Sequence, residues 1–301
     1  MNVPFATTTR LLLAFALSTL PLVAGANTLE RIRTSNTFNL GYVPDLAPFS
    51  VQEGDKASGY AIDLCLKVAD KLKSELGLSD LQVHYLPVTV ADQVSAVSQG
   101  KVDILCTPTA PTLERRKMIS YSIPVYTAGL SVVVRNDAAE PLLNVLNGKV
   151  ATAGPTWRAS INNGLANQTY ATLEGGVTED WIRERMRLLN VIASLVTVAN
   201  NDEGVKLVAE GKADAFFSER MLLRNEIAKE GAAQNLMILD RIFEYSPVAM
   251  MIDRNDEDFR LLVDTALSEA YYSGFVEKAY DQYLGGSNLT VKRLFRVYAL
   301  P

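Results

Sequence analysis

The sequence is poor in the residues on which catalytic and metal sites most often depend. It has one histidine, His84, and two cysteines in 301 residues. None of the short patterns CxxC, HExxH, GxSxG, GxxxxGK[ST] or GxGxxG occurs in it. Because general bases and metal clusters usually need histidine, the sequence predicts no catalytic residue, no metal and no cofactor.

Positive charge is also scarce. The chain has 29 Lys and Arg against 34 Asp and Glu, a formal net charge of −5, and it contains no basic run. Proteins that bind nucleic acids usually present a basic patch or stripe. The composition therefore argues against nucleic acid as a partner and does not favour anionic membrane surfaces.

Long apolar runs are absent beyond the first 26 residues. Within these, Arg10 is the only charged side chain, residues 11–23 are almost wholly apolar, and small residues at Ala24 and Ala26 precede Asn27. This is the pattern of a cleaved signal peptide. A membrane anchor is the alternative, but a spanning helix needs about 20 apolar residues. The sequence therefore predicts removal of residues 1–26 and a soluble protein in the periplasm.

The two cysteines, Cys65 and Cys106, form an even pair in a chain predicted to be exported. The oxidising compartment favours a disulfide between them. Such a bond joins a predicted helix to a predicted strand and requires Cα atoms within about 7 Å of each other. Two buried free thiols are the alternative.

Strand and helix patterns alternate along the chain. The strand patterns cover residues 37–42, 81–87, 102–106, 148–153, 195–199 and 213–217, and the helix patterns cover residues 59–76, 91–99, 202–210 and 256–272. This alternation predicts parallel β-α-β units and an α/β fold. Two isolated β runs, residues 126–135 and 246–252, predict strands that cross between two lobes. Lobe 1 is then residues 27–134 with 246–301, and lobe 2 is residues 135–245.

Residues 170–189 fit the alternation less well. In residues 178–189, charged residues surround Trp181, Ile182 and Met186, which predicts a peripheral helix with a solvated face. A surface for docking a partner is the alternative interpretation.

The first candidate binding segment follows the predicted strand that ends at Cys106. Thr109 and Thr112 lead into Arg115, and ligand-binding side chains are well placed in loops after strands. Arginine offers a planar, permanently charged fork for a carboxylate, and threonines add neutral donors. A helix cap by Thr112 beside surface arginines is the alternative.

Two further candidate segments lie in the second predicted lobe. Thr156 and Trp157 follow a strand pattern and open a helix pattern, where free amides attract an anionic group. Trp157 either stacks on a ligand or packs at the lobe edge. Glu219 ends the third strand pattern of that lobe and is placed to accept hydrogen bonds from an ammonium group, or lies in a solvated turn.

Taken in order, short motifs across the chain resemble the family 3 extracellular solute-binding proteins, the polar amino-acid receptors of ABC importers. The resemblance covers residues 29–301. It rests on Gly41, Pro48 and Phe49 and on residues 59–64, 100–103, 112–115, 121–126, 148–150 and 211–216.

The resemblance implies a periplasmic-binding-protein type II fold, in which two α/β lobes joined by two crossing strands close on the ligand like a hinge. It implies that Arg115 holds the ligand α-carboxylate and that Thr109 and Thr112 add donors. It also implies that amides near Thr156 hold the carboxylate and that Glu219 takes the α-ammonium. Trp157, Asp45 and Phe49 complete the candidate ligand contacts.

Several positions differ from the family pattern. Ala110 replaces a hydroxyl residue, Pro155 removes an amide, Leu46 stands where an aromatic residue is common, and Val43 replaces a polar residue. Carboxylate recognition by Arg115 is therefore better supported than recognition of a complete α-amino acid.

The predicted function is that of a monomeric receptor that delivers a small carboxylate-bearing ligand, an amino acid or a related acid, to the membrane permease of an ABC importer. A periplasmic enzyme similar to cyclohexadienyl dehydratase, with Glu219 as acid or base, is one alternative. A sensing module that docks a membrane receptor or partner enzyme is another.

Overall fold

The computed structural model describes residues 27–149, 164–229 and 233–301. The predicted leader, residues 1–26, and the predicted ligand contacts Thr156 and Trp157 lie outside the described residues. Among the residues described, no helix is long and apolar enough to cross a membrane.

Helices and strands alternate over most of the described chain, as predicted. The strands are β1 (Thr37–Tyr42), β2 (Val51–Glu53), β3 (Lys56–Ser58), β4 (Gln82–Pro87), β5 (Ile104–Thr109), β6 (Ile119–Tyr121), β7 (Tyr126–Arg135), β8 (Thr169–Leu173), β9 (Ser194–Val198), β10 (Ala215–Glu219), β11 (Leu236–Ile238) and β12 (Glu244–Asp253). The helices are α1 (Thr28–Ser35), α2 (Tyr60–Leu76), α3 (Gln93–Ser98), α4 (Glu140–Leu146), α5 (Val177–Leu189), α6 (Asn201–Ala209), α7 (Arg220–Ala228), α8 (Glu257–Tyr272), α9 (Phe275–Leu284) and α10 (Leu289–Tyr298).

Two groups of parallel strands are joined by two long antiparallel strands. The strand order is β4-β1-β5-β12-β7-β10-β8-β9. The first half of β12 pairs with β7, and its second half pairs with β5 and β6. The other end of β7 pairs with β10, with Val134 opposite Ala215. The chain therefore passes between the two groups twice, as the isolated β runs predicted.

The prediction that residues 27–134 and 246–301 form one lobe, and residues 135–245 the other, stays a prediction. The strand pairing places residues 130–134 beside β10, in the second group of strands.

The core around the first group of strands forms because α2 has apolar residues at helical spacing. Leu64, Cys65, Val68 and Leu72 are all fully buried there, in contact with β5 and α8. Cys65 is bonded to Cys106 in β5, and their Cα atoms are 6.0 Å apart. The predicted disulfide is thus confirmed.

Two aspartates in the motifs that resemble the family connect loops to neighbouring strands through hydrogen bonds. Asp103, in residues 100–103, accepts a hydrogen bond of 2.7 Å from the Asn39 amide of β1. Asp214, in residues 211–216, accepts one of 2.7 Å from the Thr169 amide of β8. Each carboxylate satisfies a backbone donor near the start of a parallel strand, so these motifs have a structural role in both groups.

The charged pattern predicted as a helix in residues 178–189 is helical in the structure, whereas the residues before it form a strand that was not predicted. Residues Thr169–Leu173 form β8, which lies between β9 and β10, and Tyr170 and Ala171 are buried there. The helical part begins only at Val177. This strand is only five residues long, and the charged helix pattern after it dominates the local sequence signal.

The start of β7 is fixed to the first group by tyrosine hydroxyls. Tyr60 donates a hydrogen bond of 2.6 Å to the Val125 carbonyl, and Tyr271 donates one of 2.7 Å to the Pro124 carbonyl. The Tyr126 ring packs on Phe49 with ring centroids 5.0 Å apart. The first residues of β7 are therefore held in place by hydrogen bonds and ring contacts with the first group, before the strand continues into the second group.

Candidate ligand-binding cleft

A cleft of about 390 Å³ lies between the ends of strands from both groups. Its walls come from the loop after β1, the segment from Thr107 to Arg115, the crossing strands, and the starts of α5 and α7. The carboxyl ends of β5, β8 and β10 all reach it. This is where open α/β sheets usually bind small molecules.

Arg115 lies on the cleft wall in a 3₁₀ turn, Arg115–Lys117. Its Nη2 donates a hydrogen bond of 2.9 Å to the Gly175 carbonyl on the opposite side. Its Nη1 is buried, makes no hydrogen bond of normal length among the described residues, and lies near the Tyr121 hydroxyl, whose pKa is raised by burial and lowered by the Arg115 charge. The guanidinium is a permanent cation on the cleft wall, so it is suited to pair with an incoming anion.

The threonines before Arg115 have different surroundings. Thr107 is buried, and its hydroxyl accepts a hydrogen bond of 2.8 Å from the Val43 amide. Thr109 lines the cleft and donates 3.2 Å to the Gln93 side chain. The Thr112 hydroxyl accepts 3.1 Å from the Arg115 amide. Thr112 therefore lines the cleft and also fixes the turn that carries Arg115. Its capping hydrogen bond and its position on the cleft wall are compatible with each other.

Glu219 lines the cleft at the end of β10 and is the N-cap of α7. One carboxylate oxygen accepts hydrogen bonds from the Met221 and Leu222 amides, at 2.6 and 3.1 Å. The other oxygen accepts from the Tyr126 hydroxyl at 3.1 Å and from the Gly129 amide at 3.5 Å. Burial raises the pKa of the Glu219 carboxyl, although these four donors act in the opposite direction.

We expect Glu219→Ala to lower the free energy of unfolding by about 1–2 kcal/mol, because it removes a helix cap. Glu219→Gln keeps a capping oxygen and should stay within about 1 kcal/mol of the wild type. Because the folded-state pKa of Glu219 is raised, its contribution to stability falls as pH rises from the unfolded pKa through the folded pKa. Since glutamine does not titrate, the stability of Glu219→Gln relative to wild type should rise over that interval and then level off.

Urea unfolding of the three proteins across a pH series measures these differences. Equal losses for alanine and glutamine, or a difference between glutamine and wild type that does not change with pH, would contradict the capping role and the raised pKa.

Thr156 and Trp157 lie outside the described residues. Among the residues that are described, the start of α5 lies at the cleft. Gly176 is the N-cap, and Val177 and Thr178 begin the helix. Amides in the first turn of a helix lack partners within the helix and attract anions. This part of the cleft was not predicted from the sequence, because the charged helix pattern indicates a solvated position. The Gly175-Gly176 pair between a strand and a helix is the sequence signal that marks it.

Gly175 brings the two sides of the cleft together. Its φ is +68°, and a Cβ there would lie 2.9 Å from the Ala91 Cα. A side chain at this position would therefore be strained and would also push the two sides apart. The carbonyl that Arg115 binds belongs to this same residue.

Trp181, one turn into α5, contributes to the cleft wall. Its ring packs against Phe217 and Phe243, with centroids 6.1 and 5.8 Å away. Its Nε1 is buried and has no partner among the described residues. Trp181 therefore packs against the hydrophobic cluster beside β10, which includes Phe217 and Ile182, and also lines the cleft.

Two of the predicted ligand contacts do not line the cleft. Phe49 is 5% exposed and packs on Tyr60 and Tyr126 in the core. Asp45 is exposed in the turn before it. The residues of that loop that do line the cleft are Val43 and Leu46. A ligand contact by Asp45 or Phe49 therefore stays a prediction that no contact in the structure supports.

The charges on the cleft wall are few. Among the described lining residues, Arg115 is the only cation, and Glu219 and Glu244 are the acids. In the part of the chain that the structure describes, no group of three or more His, Cys, Asp or Glu side chains is arranged to hold a metal ion. The arrangement is suited to binding a small molecule with a carboxylate.

Comparisons with known proteins agree with the fold. The chain is 29% identical to the L-glutamate/L-aspartate-binding protein of Pseudomonas aeruginosa over 89% of this chain and 84% of that protein. It is 24% identical to the glutamate/aspartate import solute-binding protein of Salmonella typhimurium, over 86% and 80% of the two chains.

The crystal structure of an ancestral amino-acid-binding protein, a precursor of cyclohexadienyl dehydratase, matches with a TM-score of 0.68 and 23% identity. The match covers 86% of this chain and 99% of that one. The predicted type II periplasmic-binding-protein fold is therefore confirmed. The model of the bacterial extracellular solute-binding proteins, family 3, matches residues 38–286, and the chain belongs to this family.

Proposed function

We propose that the protein is the periplasmic receptor of an ABC importer and binds an amino acid through its carboxylate at Arg115. The observation that carries this proposal is the position of Arg115, a permanent cation on the wall of the cleft, directly after the hydroxyl-rich segment that follows β5. The relatives in Pseudomonas and Salmonella bind glutamate and aspartate according to their names, which supports an amino-acid ligand.

The amino acid lies between the two lobes in this proposal. Its carboxylate pairs with Arg115 and approaches the amides of Val177 and Thr178. Its ammonium approaches Glu219, where the Gly129 contact of 3.5 Å is the longest of the existing hydrogen bonds and the one that an ammonium replaces most easily. A ligand held from both sides favours the closed state of the protein and so shifts the equilibrium between open and closed forms.

The protein acts as a receptor and not as an enzyme in this proposal. The structural neighbour that is a precursor of a dehydratase raises the alternative, with Glu219 as the acid or base. The Glu219 carboxylate already accepts four hydrogen bonds from the protein, which supports a binding and capping role over proton transfer. Export by a signal peptide cleaved before Asn27 and docking to a permease complete the proposal.

We expect the protein, freed of bound ligand by unfolding and refolding, to bind at least one L-amino acid with micromolar or tighter affinity in calorimetry. Small-angle scattering should show a smaller radius of gyration at saturation, because the lobes close. Prephenate and arogenate should yield no aromatic product. Failure of all standard amino acids to bind, or turnover of either acid, would overturn the proposal.

A further inference from the structure

We infer that Tyr298, in the last helix of the chain, is a positioning residue for the hinge. Its hydroxyl holds the crossing strand β7 at Thr127 and so favours closure of the cleft. The inference rests on the proposed function and deepens it, because it concerns the step in which the two sides of the cleft close on the ligand.

The ladder between the two crossing strands lacks a donor beside Thr127. Thr127 is paired with Pro247 of β12, and a proline has no amide hydrogen to donate. This pair can therefore exchange at most one backbone hydrogen bond. Two residues further along β12, Ala249 is paired with Thr109 of β5 instead of with β7. The crossing strands are thus easily bent at this point, where β12 passes from one group of strands to the other.

Thr127 faces away from the cleft. Side chains alternate between the two faces of a strand, and Ala128 and Leu130 of β7 line the cleft. Thr127 is on the other face, where its hydroxyl lies 2.6 Å from the hydroxyl of Tyr298. Because Tyr298 binds the strand on the side opposite the ligand, its effect on affinity passes through the strand and not through contact with the ligand.

The last helix, α10, is anchored on helices that pack against the first core. Phe295 is buried, and its ring packs on Tyr271 of α8 and Tyr280 of α9, with centroids 5.5 Å away in both cases. After the helix, the Leu300 amide donates a hydrogen bond of 3.1 Å to the Ser268 hydroxyl of α8. The end of the helix is therefore a fixed point from which β7 can be held.

The contact with Tyr298 extends a series of hydrogen bonds that hold β7 to the first group of strands. Tyrosine hydroxyls of α2 and α8 bind the carbonyls of residues 124 and 125, just before the strand. The hydroxyl of Tyr298 holds Thr127, inside the strand. With this contact in place, the strand is free to bend only from Ala128 onwards.

The contact is made while the two sides of the cleft touch. Arg115 binds the Gly175 carbonyl across the cleft at 2.9 Å in the same structure. Opening the cleft bends β7 next to Thr127, and a hydrogen bond weakens steeply when its length or angle changes. Loss of the hydroxyl pair should therefore favour open forms and make closure on the ligand less favourable.

The helix that carries Tyr298 lies outside the part of the chain that matches the family. The family match ends at residue 286, and α10 begins at Leu289. The contact between Tyr298 and Thr127 therefore does not follow from membership of the family.

Single-hydroxyl variants of the full chain, freed of bound ligand by refolding, test the inference. Tyr298→Phe and Thr127→Val each remove one hydroxyl and keep the shape of the side chain. We expect each to weaken binding of the amino acid that binds wild type most tightly by about three- to tenfold in calorimetry. The double variant should lose no more than about twice the larger single loss, because the two hydroxyls act as one pair.

Two further variants serve as controls. Thr127→Ser keeps the hydroxyl at the hinge, and Tyr272→Phe removes the hydroxyl of an exposed tyrosine of α8. Both should bind the same amino acid within about twofold of wild type. Thermal melting shows that each variant is folded.

Distances between the two groups of strands report the hinge directly. Lys101, before β5, and Asp202, in α6, are exposed, and neither is among the described residues that line the cleft. Nitroxide labels on Lys101→Cys and Asp202→Cys attach only to the new cysteines, because Cys65 and Cys106 are bonded to each other. In pulsed electron resonance without ligand, both hydroxyl variants should show a smaller fraction of the separation that ligand-saturated wild type defines as closed.

Affinities within twofold of wild type in Tyr298→Phe and Thr127→Val, or additive losses in the double variant, would overturn the inference. So would an equal loss in Thr127→Ser, or a loss of affinity without a change in the ligand-free distances. If no amino acid binds to wild type, the proposed function is overturned. The ligand-free distances then decide the inference alone, and it falls if they are unchanged in both hydroxyl variants.

Discussion

Arg115→Ala should weaken binding of the amino acid by about 30-fold to 5,000-fold, which corresponds to about 2–5 kcal/mol. The guanidinium lies on the cleft wall, so the variant removes the only cation among the described lining residues. The carboxylate would then be buried without its charged partner. Calorimetry with the amino acid that binds most tightly to wild type measures the loss.

The neighbouring Arg116 provides a matched control. It belongs to the same 3₁₀ turn, is exposed, and lies over the Tyr121 ring at 5.7 Å instead of on the cleft wall. Arg116→Ala should change affinity by less than threefold. Arg115→Lys keeps the charge but loses the planar fork, so its affinity should lie between wild type and Arg115→Ala.

The loss of binding in Arg115→Ala should not come from unfolding. Arg115 is half-buried, and it makes one side-chain hydrogen bond of normal length among the described residues, to Gly175. We expect its removal to change the free energy of unfolding by about 1 kcal/mol or less. Equal affinities of Arg115→Ala and wild type, or equal losses in Arg115→Ala and Arg116→Ala, would refute carboxylate binding at Arg115.

The first half of the cleft could be predicted from the sequence because its signals are local. A strand pattern, a run of hydroxyl residues and an arginine follow one another between Cys106 and Arg115. In the structure this segment leaves β5 and lines the cleft, and the disulfide predicted from compartment and pairing holds its base. The position of this segment after a parallel strand and the chemistry of its residues both indicate a binding site. The local sequence was therefore sufficient to predict this side of the cleft.

The second half was harder because its residues meet through tertiary packing. β8 pairs with β9 and β10 and has buried residues, and no short-range pattern in the sequence shows this. Phe49 packs in the core for a similar reason, since its ring contacts Tyr60 and Tyr126, and the predicted ligand contact of Phe49 stays a prediction. The helix-cap role of Glu219 was also hidden, because it depends on where α7 begins.

Replacing both Cys65 and Cys106 by alanine should lower the free energy of unfolding by about 3–4 kcal/mol. The bond closes a loop with a sequence separation of 41 residues, and its loss increases the conformational freedom of the unfolded chain. Both cysteines are fully buried between α2 and β5, and alanine leaves no polar atom there. Urea unfolding of the two proteins measures the difference, and ligand affinity should change by less than threefold because neither cysteine lines the cleft.

Wild type unfolded in urea with a strong reductant separates the crosslink from the packing. Reduction opens the loop in the unfolded chain and leaves both sulfur atoms in the protein, whereas the alanines also remove buried atoms that lie near the Met250 sulfur, 3.5 Å from the Cys65 Sγ. If loop entropy dominates, reduced wild type should lose nearly as much stability as the double variant. If reduced wild type loses less than about 1 kcal/mol while the double variant loses about 3 kcal/mol, packing and not the crosslink stabilises this part of the fold.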